Sequence, residues 1–151
     1  MLSGGKAPPG KGFNMYHDST YRVPYADTDQ MGVVYYANYL VYFERSRTEM
    51  LRSVGLPYCE LEKRGLIMPV IEANCRYFAP AHYDELLTFR SYVLEYSRVK
   101  LKVGTDILRD GDILVSGFVM LGCVGLDRKP LRMPPELSAA CATLTWNKET
   151  L

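Results

Sequence analysis

Residues 98–108 read R-V-K-L-K-V-G-T-D-I-L, and their alternation constrains the fold more than any other stretch of the chain. Val99, Leu101, Val103, Thr105 and Ile107 take every second place between Arg98, Lys100, Lys102, Gly104 and Asp106. A period of two sends these sets to opposite faces of a half-buried strand. R-D-G-D follows, and Asp110-Gly111 suits a two-residue hairpin, whose central positions both need positive φ. Residues 113–126 are then apolar on both faces, which predicts a central strand covered on both sides. Strand, tight turn and strand make an antiparallel pair.

Upstream, residues 67–78 and 86–96 read as two more strands joined by the turn A-P-A-H-Y-D-E. Residues 19–26 predict a short strand, with Pro24 marking an edge or irregularity. Between the first strand and the rest, the period changes. From about residue 36 to 54, Leu40, Phe43, Met50, Leu51 and Val54 share one helical side, and Gly55 with Pro57 ends the run. A helix of about 18 residues would be some 27 Å long. Short helices are expected over 57–64, ending at Gly65, and over 135–144. The expected fold class is α+β, an antiparallel sheet wrapped around one long central helix. One domain is expected over 19–151, after a Gly/Pro/Lys-rich leader at 1–18 read as disordered, with Met15 as a candidate start.

Composition narrows the function. With 18 basic and 17 acidic residues the formal charge is +1, so bulk electrostatic binding of nucleic acid or anionic membrane is not expected. No apolar run nears the roughly 20 residues that span a bilayer. The start lacks the apolar stretch of a secretory signal, and Cys59, Cys75, Cys123 and Cys141 form no C-x-x-C pair. A cytoplasmic protein with no metal and no cofactor is the expectation. Only His17 and His82 are present, His17 in the leader and His82 in a turn, so a serine triad is hard to build.

The chemistry concentrates in Y-A-D-T-D-Q-M-G-V-V-Y-Y-A-N-Y, residues 25–39. Gly32 lets the backbone turn sharply between Asp29 and the helix. A carboxylate then lies near unpaired helix N–H groups, of which Tyr36 offers one. A substrate carbonyl polarised by that N–H would be open to attack by Asp29, or by water that Asp29 activates. The bland alternative is that Asp27 and Asp29 only shape a turn and cap a helix, and capping acids are commoner than catalytic ones.

The stretch D-x-D-x-x-G-x-V-Y followed by N-Y resembles the signature of the hotdog-fold acyl-CoA thioesterases. The nearest groups are the 4-hydroxybenzoyl-CoA and the Tol–Pal-associated thioesterases. R-T-E-M-L-R-S-V-G-L and Y-F-x-P-A-x-Y-D-E agree with it, and the resemblance runs from about Thr20 to Met133. It implies an acyl-CoA thioester hydrolase with Asp29 as nucleophile or general base and the Tyr36 N–H as oxyanion donor. Tyr36 stands where the Tol–Pal-associated group often carries a histidine, so only a backbone role carries over. The resemblance also implies Tyr25 near the site, Gly32 and Val33 as substrate-binding positions, and a homodimer or homotetramer with sheets joined edge to edge. Acyl-CoA or an acyl-carrier protein would supply the substrate.

Other features keep two readings. Arg98 and Lys100, with Lys102, Arg128 and Lys129, suit coenzyme A phosphates or a solvated sheet face equally. Arg47 falls within the helix's apolar side with Glu44 one turn before it, which suggests a buried ion pair. Some hotdog thioesterases use a helix carboxylate, so Glu44 is a reserve catalytic candidate. A non-catalytic acyl-CoA or acyl-carrier-protein binding module on the same fold is the competing class.

Overall fold

The computed structural model describes residues 15–146; the rest of the expected leader and the last five residues lie outside the described residues. Strands β1 (His17–Arg22), β2 (Val70–Tyr77), β3 (Leu86–Tyr96), β4 (Lys100–Arg109) and β5 (Asp112–Gly122) form one antiparallel sheet in the order β1-β3-β4-β5-β2. Helices α1 (Asn38–Ser53), α2 (Tyr58–Lys63) and α3 (Pro135–Thr143) complete the domain. β1 starts two residues inside the expected leader, because His17 and Asp18 pair with Ser91 and Arg90. It stops at Arg22, since Pro24 introduces a 3-10 turn over Tyr25–Asp27.

The hairpin forms where Asp-Gly predicts it. Arg109 pairs with Asp112, and Asp110 and Gly111 have φ of 52° and 87°. β4 is not half-buried, however. From Val103 to Leu108 it is buried on both faces. Gly104 lies under the Tyr92 ring, and Asp106 is 1% exposed, accepting hydrogen bonds from the Tyr92 hydroxyl (3.1 Å) and Ser116 Oγ (2.6 Å). A polar residue at strand period thus faces neighbours rather than water. β5 departs the other way, with Ser116, Gly117 and Phe118 only half-buried, so its second face is not fully covered.

α1 has 16 residues, which gives about 24 Å and is shorter than expected. Tyr35 and Tyr36 belong to the turn ahead of it, their carbonyls accepting from the Asn38 and Tyr39 N–H groups. Its buried stripe is Tyr39, Tyr42, Phe43, Ser46, Arg47, Met50 and Leu51, while Leu40 is 42% exposed. The tyrosines displace Leu40 because their hydroxyls find partners: Tyr39 accepts from the Ala81 N–H, and Tyr42 donates to Asp27. α1 ends as read, with Gly55 at φ 78° and the Leu56 N–H reaching back to the Leu51 carbonyl. The helix lies against the sheet, sharing the core with Leu87, Phe89, Val93, Ile107, Val115 and Leu121. A hydroxyl chain, Ser46–Ser91–Thr105, satisfies the polar groups buried there.

Candidate active site

Asp27 and Asp29 take different jobs. The Asp27 carboxylate accepts from the Tyr21 hydroxyl (2.7 Å) and the Tyr42 hydroxyl (2.8 Å). Its carbonyl accepts from the Tyr35 N–H and from Asn38 Nδ2, both at 2.9 Å. Burial, followed by the bond to Asp27, pushes the Tyr21 hydroxyl up to about 12 and raises Tyr42 as well. Asp27 therefore ties β1, the loop and α1 together. Both phenols donate to the same oxygen, Oδ2, so Asp27→Asn keeps an acceptor there but removes the charge that strengthens both bonds, and is expected to destabilise the fold by about 1–3 kcal/mol in urea unfolding.

Asp29 is exposed. Its N–H donates to the Val33 carbonyl (2.9 Å), and its own carbonyl accepts from Gly32 (3.0 Å). Gly32, at φ 76°, supplies the left-handed residue that closes this turn. The Met31 N–H donates to Asp29 Oδ1 (2.8 Å), which holds the carboxylate while leaving it at the surface. The chain then returns beside itself, with Thr28 bridging Val34, and reaches α1 through Tyr36. Among the described residues no backbone acceptor takes the Tyr36 N–H. The loop thus carries a carboxylate ahead of Gly32 and, in the turn that opens α1, a backbone N–H with no acceptor among the described residues.

Beside the helix start lies a cavity of about 340 Å³ lined by Val34, Tyr36, Tyr39, Tyr77, Phe78 and Pro80. Tyr36 is 63% exposed, and the Tyr77 hydroxyl donates to its carbonyl (3.0 Å). Of these walls the sequence singles out only Tyr36 as a site residue, although Tyr77 and Phe78 open the Y-F-x-P-A stretch. Apolar residues at a strand's end read as core until the fold shows them facing a cavity.

The turn at 80–85 backs this loop. The Val34 N–H donates to the Ala81 carbonyl (2.9 Å), the Tyr83 N–H to the Gly32 carbonyl (3.2 Å), and Val33 bridges His82. Glu85 locks the turn through the His82 N–H (2.6 Å) and Arg109 Nη1 (2.8 Å). Burial alone would raise the Glu85 pKa, but these partners outweigh it and hold it below its ordinary value. A carboxylate depressed on folding adds stability that is complete above its unfolded value, about 4.3, and is lost as pH falls through the folded value. Glu85→Gln is expected to flatten that acid-side loss when urea midpoints are compared across pH.

Of the other candidates, Val33 lies in the turn with Gly32, and Tyr25 is nearby, exposed and edge-on to Tyr83 at 5.7 Å. Arg98 and Lys100 lie at the β3–β4 turn. That is the far end of an 11-residue strand, roughly 35 Å along the sheet, so one protomer does not bring them to Asp29. Lys102 sits over the Phe118 ring at 4.3 Å. The expected Glu44–Arg47 pair does not form: Glu44 is exposed, and Arg47 Nε donates to the Tyr58 hydroxyl (2.6 Å). Among the described residues there is no cluster of acids, cysteines and histidines able to hold a metal, and no helix long and apolar enough to cross a membrane.

A family model, the thioesterase-like superfamily, matches residues 23–141. The Haemophilus influenzae acyl-CoA thioesterase YbgC is 36% identical over 121 residues, which cover 79% of this chain and 89% of that protein. YneP of Bacillus subtilis is 41% identical over 85 residues, 56% of this chain, and the match spans just 62% of that relative's length. The crystal structure of a DHNA-CoA thioesterase from Staphylococcus aureus aligns with TM-score 0.79 and 31% identity, over 84% of this chain and 89% of that one.

Proposed function

The chain belongs to the thioesterase-like superfamily and is an acyl-CoA thioester hydrolase, and we propose that Asp29 carries the reaction. The Tyr36 N–H donates to the thioester carbonyl oxygen, and the N-terminal dipole of α1 favours the charge that develops there. Asp29 then removes a proton from the attacking water. Coenzyme A leaves as its thiolate, and water supplies the oxygen of the released acid. The observation that carries this reading is a surface carboxylate, steadied by the Met31 N–H, in the loop that enters α1 through Tyr36, a backbone donor without an acceptor among the described residues.

The site is completed, in this reading, by a second copy. β2 is an edge strand of eight residues, exposed at every position except Cys75, with Val70, Ile71 and Tyr77 open to solvent, and such an unpaired edge calls for a partner. Antiparallel pairing of two β2 strands brings Arg98, Lys100 and their neighbours on one protomer within reach of a coenzyme A whose acyl group lies in the other. Four free cysteines suit a reducing cytosol.

Single turnover in oxygen-18 water, with enzyme in excess, tests the role of Asp29. General-base catalysis labels the released acid and leaves Asp29 unlabelled. Label in the Asp29 side chain identifies it as the attacking nucleophile instead. Absence of any released acid removes the hydrolase reading for that substrate.

A further inference from the structure

A second cavity, of about 380 Å³, lies between α1, α2 and the start of β2, lined by Arg47, Tyr58, Leu66, Ile67, Met68 and Val70 with Glu44 and Glu62 beside them. Arg47 is 6% exposed, yet among the described residues it meets no carboxylate. Nε is satisfied by the Tyr58 oxygen, and neither the two Nη nitrogens nor the Tyr58 O–H has a protein acceptor among those residues. A guanidinium offers five N–H donors; the Arg47 Nη nitrogens keep contact with the cavity's solvent, yet holding the charge on an apolar helix face with no ion-pair partner among the described residues still has a desolvation cost. Leucine or methionine would fill this position on an apolar helix stripe at no such cost.

We propose that Arg47 and Tyr58 form a subsite for a carboxylate at the far end of the acyl group, so that the preferred substrates are CoA thioesters of dicarboxylic acids. The inference rests on the hydrolase reading above. One carboxylate accepts from an Nη–H and from the Tyr58 O–H, while Leu66, Ile67, Met68 and Val70 flank the chain that leads to it. Glu44 and Glu62 line the same cavity without forming an ion pair with Arg47, and they oppose a multiply charged phosphate more strongly than a single carboxylate. The subsite also lies in the right place. With β2 paired antiparallel to its copy, Val70 at the start of one strand comes beside Tyr77 at the end of the other. The Arg47 cavity of one protomer then opens toward the Tyr36–Tyr77 cavity of its partner, where the carbonyl reacts.

The test compares glutaryl-CoA with valeryl-CoA and suberoyl-CoA with octanoyl-CoA, each pair matched in length. Wild type is expected to favour at least one carboxylated member by roughly tenfold or more in kcat/KM, and Arg47→Met to bring that ratio to about one. Tyr58→Phe, which keeps the ring, is expected to lower it several-fold, and it serves if the methionine variant does not fold. No preference in the wild type, or a preference that survives these changes, overturns the proposal. Calorimetry with free coenzyme A separates the other source of anions: if Arg47→Met weakens that binding, the guanidinium serves the phosphates and the proposal falls. If no thioester is cleaved, the hydrolase reading fails separately, and the affinities of the matching non-cleavable thioethers decide the subsite by the same ratio.

Discussion

Asparagine in place of Asp29 is expected to lower kcat at least about a hundredfold while KM changes little. The substitution is specific to charge. The asparagine amide would keep an oxygen for the Met31 N–H, which Asp29 Oδ1 accepts at 2.8 Å, and the turn closed by Gly32 would persist. What disappears is the base or nucleophile. Asp27→Asn makes the contrast, because its carboxylate serves two phenols and its loss registers as stability. Near-wild-type turnover by the Asp29 variant, with thermal melting unchanged, would assign the chemistry elsewhere, Glu44 on α1 being the next carboxylate to examine.

The largest structural effect is expected at Gly117. A Cβ there would run into the Asn74 carbonyl oxygen of β2 and come within 2.8 Å of Phe43 on α1. Neither neighbour yields easily, since Asn74 is held in register against Phe118 and Phe43 is buried in the core. Gly117→Val is expected to cost about 3 kcal/mol or more in urea unfolding, in the range of severe overpacking. The damage also travels to function. β2 carries Tyr77, whose hydroxyl bonds the Tyr36 carbonyl, and it is the edge proposed to pair with a second copy. Loss of the proposed dimer in light scattering should accompany the loss of stability. A variant as stable as wild type would mean that β2 shifts without cost.

How much of this was legible in the sequence depends on the range of the interaction. Asp110-Gly111 announces its hairpin because the turn's requirement is local, and both residues adopt the positive φ it demands. Gly55 and Gly65 end their helices for the same reason. The D-x-D-x-x-G stretch was readable as a family resemblance, and the matching family model covers that region. Where long-range packing decides, the reading slips. Asp106 sits at strand period with lysines, yet Tyr92 and Ser116, 14 and 10 residues away, enclose it. Arg47 looked like the partner of Glu44, one turn back; the fold gives it Tyr58 from α2 instead. Periodicity fixes which residues share a side of α1, but the core selects Tyr39 and Tyr42 over Leu40 through hydroxyl partners on other elements. The aromatic cavity at the helix start was hidden similarly, since Tyr77 and Tyr36 are 41 positions apart.

The central claim is that this turn acts on a thioester and does not merely hold one. Its most direct measurement is release of free thiol by the purified protein from short, long, aromatic and carboxylated acyl-CoAs, followed alongside acyl-CoA binding. The account predicts catalytic turnover on at least one substrate, with many thiols released per protein chain, and predicts that Asp29→Asn still binds that substrate. Tight binding of acyl-CoA with no thiol released from any of them would contradict it and make the chain a binding module on a thioesterase fold.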